Sequence, residues 1–205
     1  MIVIVNYGLG NLESIKNMLK KVGFESIVSS NPEDIRKASK LILPGVGAFD
    51  NGMNNLHDLR IIPVLEEEVF EKKTPILGIC LGMQLFTKKS EEGIMAGLGW
   101  IDAETVRFRF HEEKEKLRIP HMGWNTIKCK KESTLFRDPF SDMRFYFVHS
   151  YHAVCQRGDD ILTETHYGYD FTSSFQKENI IGVQFHPEKS HKFGMQLLRN
   201  FVELC

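Results

Sequence analysis

The chain has 205 residues, 42% hydrophobic and 26% charged, the balance of one globular domain with a sizeable core. Lys plus Arg number 26 and Asp plus Glu 27, a net charge of −1, so no broad basic field exists to gather nucleic acid or an anionic membrane surface. The opening MIVIV is too short for an export core or a bilayer span. The four cysteines (Cys80, Cys129, Cys155, Cys205) include no Cys-x-x-Cys pair, so no disulfide framework is expected and a reducing, cytoplasmic compartment is.

IVIVNYG reads as a buried strand and a turn. LESIKNMLKKVG places Leu12, Ile15, Leu19 and Val22 on one helical face, with Gly23 as its stop. ESIVS is a second strand. NPED opens a helix with Asn31 as cap, Pro32 in the first turn and Asp34 three residues after the cap. KLILPGVG is a third strand, helical segments follow over 51–59 and 63–72, PILGI is a fourth strand, and LGMQLFTKK a helix. This alternation predicts a mostly parallel α/β sheet flanked by helices. The second half is strand-rich: AETVRFRF, NTIKCK, RFYFVHSYHAVC, DILTETHY, FTSSFQK and IIGVQFHP, closed by the amphipathic helix HKFGMQLLRNFVEL. The charged stretch 111–118 reads as a solvated loop or hairpin end without a function.

Gly78-Ile79-Cys80-Leu81-Gly82 has the form G-x-C-x-G at a strand-to-helix junction. Small flanking residues let the chain turn sharply and present the nucleophile at the start of a helix, where backbone N–H groups favour a thiolate and can hold an oxyanion. A thiolate nucleophile is served by a base, and the base by an orienter. His186 and Glu188 in GVQFHPEKS are two apart at a predicted strand end, where period-two alternation points both side chains the same way. Each pattern alone has a plainer explanation, a buried thiol in a glycine turn and an exposed His and Glu. Together they favour catalysis. His149 and His152, three apart on a predicted strand, face opposite ways and make a poor metal pair, so no metal is expected. GLGNLE lacks the third glycine of a dinucleotide loop and reads as a turn.

LILPGVGAF, GICLGMQL and QFHPEKS, in that order, resemble the three signature segments of class I (triad-type) glutamine amidotransferases, a flavodoxin-like fold. NYGLGNLESI and IPHMGWN are similar to segments of one branch of that family, the glutaminase subunits of imidazole glycerol phosphate synthases in histidine biosynthesis. The resemblance spans nearly the whole chain and implies a single amidotransferase domain over 1–205. It implies a triad of Cys80, His186 and Glu188 acting on glutamine without cofactor or metal. It implies an oxyanion hole from backbone N–H groups of Gly45, Val46 and Gly47 and of Leu81, and glutamine binding by Gln84 and the His149, Ser150 and Tyr151 backbone. It also implies a heterodimer with a (β/α)8-barrel cyclase subunit, contacted by Asn11, Met122, Trp124, Asn125 and Lys189. IPHMGWN itself reads as too irregular for a plain strand and too apolar for a free loop.

Two features depart from the pattern. Asn6 stands where the family commonly has Asp, and Lys192-Phe193-Gly194 resembles a paralogous branch that supplies ammonia for amination of a surface-polysaccharide sugar. The other readings are a stand-alone thiol hydrolase and a non-catalytic regulatory subunit. The partner-type segments stand against the first, the intact Cys80, His186 and Glu188 against the second.

Overall fold

The computed structural model describes residues 1–110, 117–137 and 142–205. Of the charged stretch read as a solvated loop, 111–116 lie outside the described residues. β1 (Ile2–Val5), β2 (Ser26–Ser29), β3 (Lys40–Gly45) and β4 (Ile76–Cys80) pair in parallel in the order β2-β1-β3-β4, as the strand–helix alternation predicts. β12 (Ile180–Val183), from near the end of the chain, adds in parallel to β4. Beyond it the sheet turns antiparallel through β11 (Tyr169–Lys177), β10 (Ile161–Tyr167) and β7 (Lys128–Cys129), with β9 (Tyr151–Cys155) on β11 and β5 (Ala103–Arg107) on β9. A separate two-stranded sheet joins β6 (His121–Thr126) to β8 (Arg144–His149).

The parallel strands are buried on both faces, so they read as unbroken apolar runs. On β1, Val3 and Val5 pack into one core and Ile2 and Ile4 into the other; on β3, Leu41 and Leu43 part from Ile42 in the same way. α3 (Phe49–Asp58), α4 (Ile62–Glu66) and α5 (Leu81–Leu85) cover the first face with Phe49, Met53, Leu56, Val64, Leu65 and Leu85. α1 (Leu12–Lys21) and α6 (His191–Leu204) cover the second with Ile15, Leu19, Leu197, Leu198 and Phe201. Each such side chain contributes about 1.5–3 kcal/mol relative to an exposed position. α1 stops where Gly23 adopts φ +97°, and α2 (Pro32–Arg36) is capped by the Asn31 side chain, which accepts from Glu33 N at 2.9 Å.

Five local expectations are corrected. α5 ends at Leu85, not Lys89, because the strand of chain that follows takes its carbonyls: Leu98 N donates to Leu85 O at 2.9 Å and Ile101 N to Phe86 O at 3.0 Å. The helix expected over 63–72 finishes as a π-helical turn, Glu67–Glu71, around the buried Glu68 carboxylate, which accepts from Lys72 at 2.6 Å and Thr74 at 2.8 Å. RFYFVHSYHAVC is two strands broken at Ser150, and NTIKCK is divided between β6 and β7. IPHMGWN is more regular than expected: His121–Thr126 is β6, in register against β8 throughout.

Candidate active site

Cys80 is the last residue of β4, in the middle of the parallel sheet, and Leu81 begins α5. Its backbone lies at φ 53°, ψ −107°, a left-handed conformation rare for a residue with a side chain. Close approach explains both flanking glycines. A Cβ at Gly82 would overlap the Leu43 carbonyl oxygen on β3, and one at Gly78 would meet Phe86 at 2.6 Å and the Gly82 backbone at 2.8 Å. Gly45, opposite Cys80 in the β3–β4 register, is crowded likewise: a Cβ there would overlap the Tyr7 hydroxyl and stand 2.9 Å from Gly82 N. The N–H-bearing Gly45-Val46-Gly47 segment therefore lies against the turn that carries Cys80 and Leu81, with Gly47 at φ +111°.

His186 and Glu188 are brought together differently from the sequence reading. β12 ends at Val183; His186 is extended, and Pro187–Lys189 form a 3₁₀ turn. The turn, rather than strand alternation, sets His186 Nδ1 2.8 Å from Glu188 Oε1, with both side chains 1% exposed. Asn11 donates from Nδ2 to the same Glu188 oxygen at 2.9 Å. It occupies the capping position of α1, but its side chain makes no cap hydrogen bond and its amide serves the carboxylate instead. Burial works against the Glu188 carboxylate, and the hydrogen bond and charge of His186 with the Asn11 amide outweigh it, holding the group below its ordinary value. Burial likewise opposes a charged His186, but the Cys80 sulfur and Glu188 together raise it to about 10. Its Nε2 is buried without a hydrogen-bond partner, and so is Glu188 Oε2.

Gln184 donates from Nε2 to Cys80 Sγ at 3.7 Å and accepts from Gln84 Nε2 at 3.1 Å. Gln84 Nε2 also donates to Tyr151 O at 3.1 Å, so both its hydrogens are engaged inside the protein and its oxygen is the end left for a ligand donor. His149 and Tyr151 meet at the β8–β9 break, His149 Nδ1 lying 2.7 Å from Tyr151 O. Ser150, in the break, accepts from Phe108 N at 3.1 Å. The break also turns His149 and His152 toward the same aromatic cluster, against the expectation of opposite faces: their rings lie 5.2 and 4.7 Å from that of Phe108. Tyr7, Gln184 and His121 carry no sequence pattern of their own that marks them for the site. Tyr7 is buried with its hydroxyl unpartnered, and burial and the Cys80 charge push its ionisation far up. Gln184 was within reach of sequence reasoning, two residues before His186.

The segments expected to meet a partner surround the His186–Glu188 end of the sheet. Met122 is 61% exposed and Trp124 45%, on the outward face of β6. The Trp124 indole stacks on His191 at 5.6 Å, and Lys189 is exposed, its ammonium 5.7 Å from the Tyr146 ring. Asn125 is half-buried behind them.

This is the layout of a thiol-nucleophile hydrolase on a parallel α/β sheet: a strained strand-to-helix turn presents the sulfur, and an imidazole backed by a carboxylate can move protons to and from it. The family described as glutamine amidotransferase class-I matches residues 3–205, and the chain belongs to that family. It is 54% identical over 203 residues to "Imidazole glycerol phosphate synthase subunit HisH 2" of Methanococcus maripaludis, covering 99% of each chain. It is 50% identical over 204 residues to the protein of the same name from Pseudomonas aeruginosa, covering 100% of both. Among solved structures it superposes on a glutamine amidotransferase with TM-score 0.72 at 21% identity, covering 100% of this chain and 98% of that one. PurLQS from Thermotoga maritima gives 0.70 at 17%, covering 98% and 96%. These structural likenesses concern the fold.

Proposed function

We propose that this chain is the glutaminase subunit of an imidazole glycerol phosphate synthase, a single cytoplasmic amidotransferase domain that hydrolyses glutamine and passes the ammonia to a cyclase subunit in histidine biosynthesis. The observation that carries the chemistry is the Cys80 turn beside a His186–Glu188 pair held at 2.8 Å. The full-length identity to subunits of that name supports the pathway. No helix among the described residues is long and apolar enough to cross a membrane.

The Cys80 thiolate attacks the side-chain amide carbon of glutamine, and the carbonyl electron pair moves onto oxygen. Backbone N–H groups of Leu81 and of the 45–47 segment stabilise that oxyanion. As the tetrahedral species collapses, the C–N bond breaks, His186 delivers its proton to the nitrogen, and ammonia leaves a thioester on Cys80. His186, now neutral, takes a proton from water, which attacks the thioester; the C–S bond breaks, glutamate departs and the thiolate is restored. Glu188 keeps the imidazole oriented throughout and stabilises its charged form. Ammonia is lost to bulk water or protonated unless its route is closed, so the site works against a docked partner, a (β/α)8-barrel cyclase in a heterodimer. Met122 and Trp124 suit the desolvated centre of that contact, with Asn125 and Lys189 around it.

The test is to co-purify the chain with a candidate cyclase and follow glutamate release together with conversion of the phosphorylated ribulosyl-aminoimidazole carboxamide nucleotide. Glutamine-dependent formation of imidazole glycerol phosphate is the expected result. Glutamate release without any such product would move the chain to the sugar-aminating branch. No glutamate release in any complex would reject the glutaminase reading.

A further inference from the structure

A buried chain of hydrogen bonds runs from β6 to the nucleophile, and elementary chemistry assigns a donor and an acceptor to every link. Tyr151 O can only accept, so His149 Nδ1, at 2.7 Å, carries a hydrogen. A neutral His149 then has a lone pair at Nε2, which takes its hydrogen from His121 Nδ1 at 3.0 Å. His121 Nε2 in turn accepts from Asn125 Nδ2 at 3.2 Å. The Asn125 amide cannot be reversed: Nδ2 also donates to His166 O at 2.9 Å, while Oδ1 accepts from Thr126 N at 2.8 Å. At the other end Tyr151 O receives Gln84 Nε2, and Gln84 leads through Gln184 to Cys80 Sγ. Both imidazoles are neutral, since burial lowers His121 to about 4 and His149 well below its ordinary value. His121 cannot turn aside, because its ring is stacked between Tyr167 at 4.0 Å and Phe147 at 4.8 Å.

We propose that His121 is a positioning residue of the glutamine site: its Nδ1–H locks His149 as the Nδ1–H tautomer and thereby fixes the Tyr151 carbonyl that orients the Gln84 amide, whose oxygen meets the substrate. The proposal rests on the glutaminase reading. Without the lock, His149 is free to carry its hydrogen on Nε2, and a bare Nδ1 lone pair then faces the Tyr151 oxygen at 2.7 Å, which pushes that carbonyl away. The carbonyl then ceases to orient Gln84, and substrate binding weakens while Cys80, His186 and Glu188 stay in place.

Two substitutions separate the hydrogen bond from the packing. His121→Phe keeps a ring between Tyr167 and Phe147 but has no donor; His121→Asn loses the ring but keeps an amide donor where Nδ1 stood. In the full chain bound to its partner, His121→Phe raises KM for glutamine by about fivefold to tenfold, the loss expected for one neutral hydrogen bond at a binding group, with kcat nearly unchanged. His121→Asn restores KM toward wild type. Imidazole ¹⁵N spectra show His149 purely as Nδ1–H in wild type and in His121→Asn, and as a mixture in His121→Phe. A wild-type KM in His121→Phe overturns the proposal, as does an equal rise of KM in both variants. Should the variants not fold, an Nε2–H His149 in the wild-type spectrum overturns it alone, and an Nδ1–H His149 coupled to a protonated His121 Nδ1 supports it. The spectra do not depend on turnover, so a protein that shows the lock but never hydrolyses glutamine would reject the glutaminase reading and leave the lock standing.

Discussion

At φ 53° and ψ −107° the backbone of Cys80 stores strain of order 1–3 kcal/mol, which the packed glycines around it sustain. The return is position: the sulfur stands over the first turn of α5, beside an imidazole that it helps keep charged. Cys80→Ala is expected to abolish glutamine hydrolysis and leave ammonia-dependent synthesis by the proposed complex intact, since in the proposed mechanism the thiol serves only the hydrolytic half; glutamate release at the wild-type rate would contradict it. The same substitution removes the first of the influences that raise His186, while its burial stays, so the His186 value falls from about 10. An NMR titration of the ring checks this, and a value still near 10 would assign the effect to Glu188 alone. The folded value lies above the ordinary 6.5, so the contribution of the charged pair is whole below pH 6.5 and is lost as pH rises through about 10. Glu188→Gln is expected to slow glutamate release less than Cys80→Ala does, because an orienter positions the base whereas the nucleophile forms the bond. Equal and total losses in folded proteins would show that Glu188 does more than orient.

At the scale of elements, the site is a junction of three strand ends with a 3₁₀ turn, and its tolerances are those of backbone packed on backbone. Gly82→Ala forces β3 and α5 apart, because the added carbon meets a main-chain carbonyl that has no rotamer to change. A loss of about 3 kcal/mol or more is expected, read as a lower melting temperature together with slower alkylation of Cys80. Gly158→Ala is the control: nothing lies within 4 Å of the new carbon, and the change is expected to stay within about 0.5 kcal/mol. Equal melting temperatures for the two variants would refute the close-packing account of the turn. The amphipathic spacing of Leu12, Ile15 and Leu19 and the unbroken apolar strands were readable locally, because period and length report which face is buried. The early end of α5 was not, because it depends on Leu98 and Ile101 folding back from further along the chain, and the π-helical turn at Glu67–Glu71 was not, because the closing of Lys72 and Thr74 on the buried Glu68 carboxylate leaves no mark on the apolar spacing.

For the whole molecule, the exposed Met122 and Trp124 share one surface with Lys189 and His191, at the same end of the sheet as the His186–Glu188 pair. Trp124→Ala is expected to leave a folded chain that binds the proposed cyclase partner at least tenfold more weakly, about 1.4 kcal/mol or more. Calorimetric titration against the partner, with circular dichroism as the fold control, checks it. Unchanged affinity with an unchanged spectrum would place the interface elsewhere, and unfolding would mean that the stack on His191 holds the chain together.

The amino-acid sequence by itself determined the parallel α/β half, the strand-rich half, the glycine turn around Cys80 and the adjacency of His186 and Glu188, because each is a local pattern of period, residue size or spacing. Only the tertiary structure decided that β12 inserts beside β4 and carries Gln184 and His186 to the cysteine, that Asn11 reaches Glu188 across 177 residues of chain, and that His121 and His149 meet. Periodicity tells which way a side chain points from its own strand. It does not tell which strand will lie next to it, and hydrogen bonds of about 3 Å between distant segments are set by that order alone.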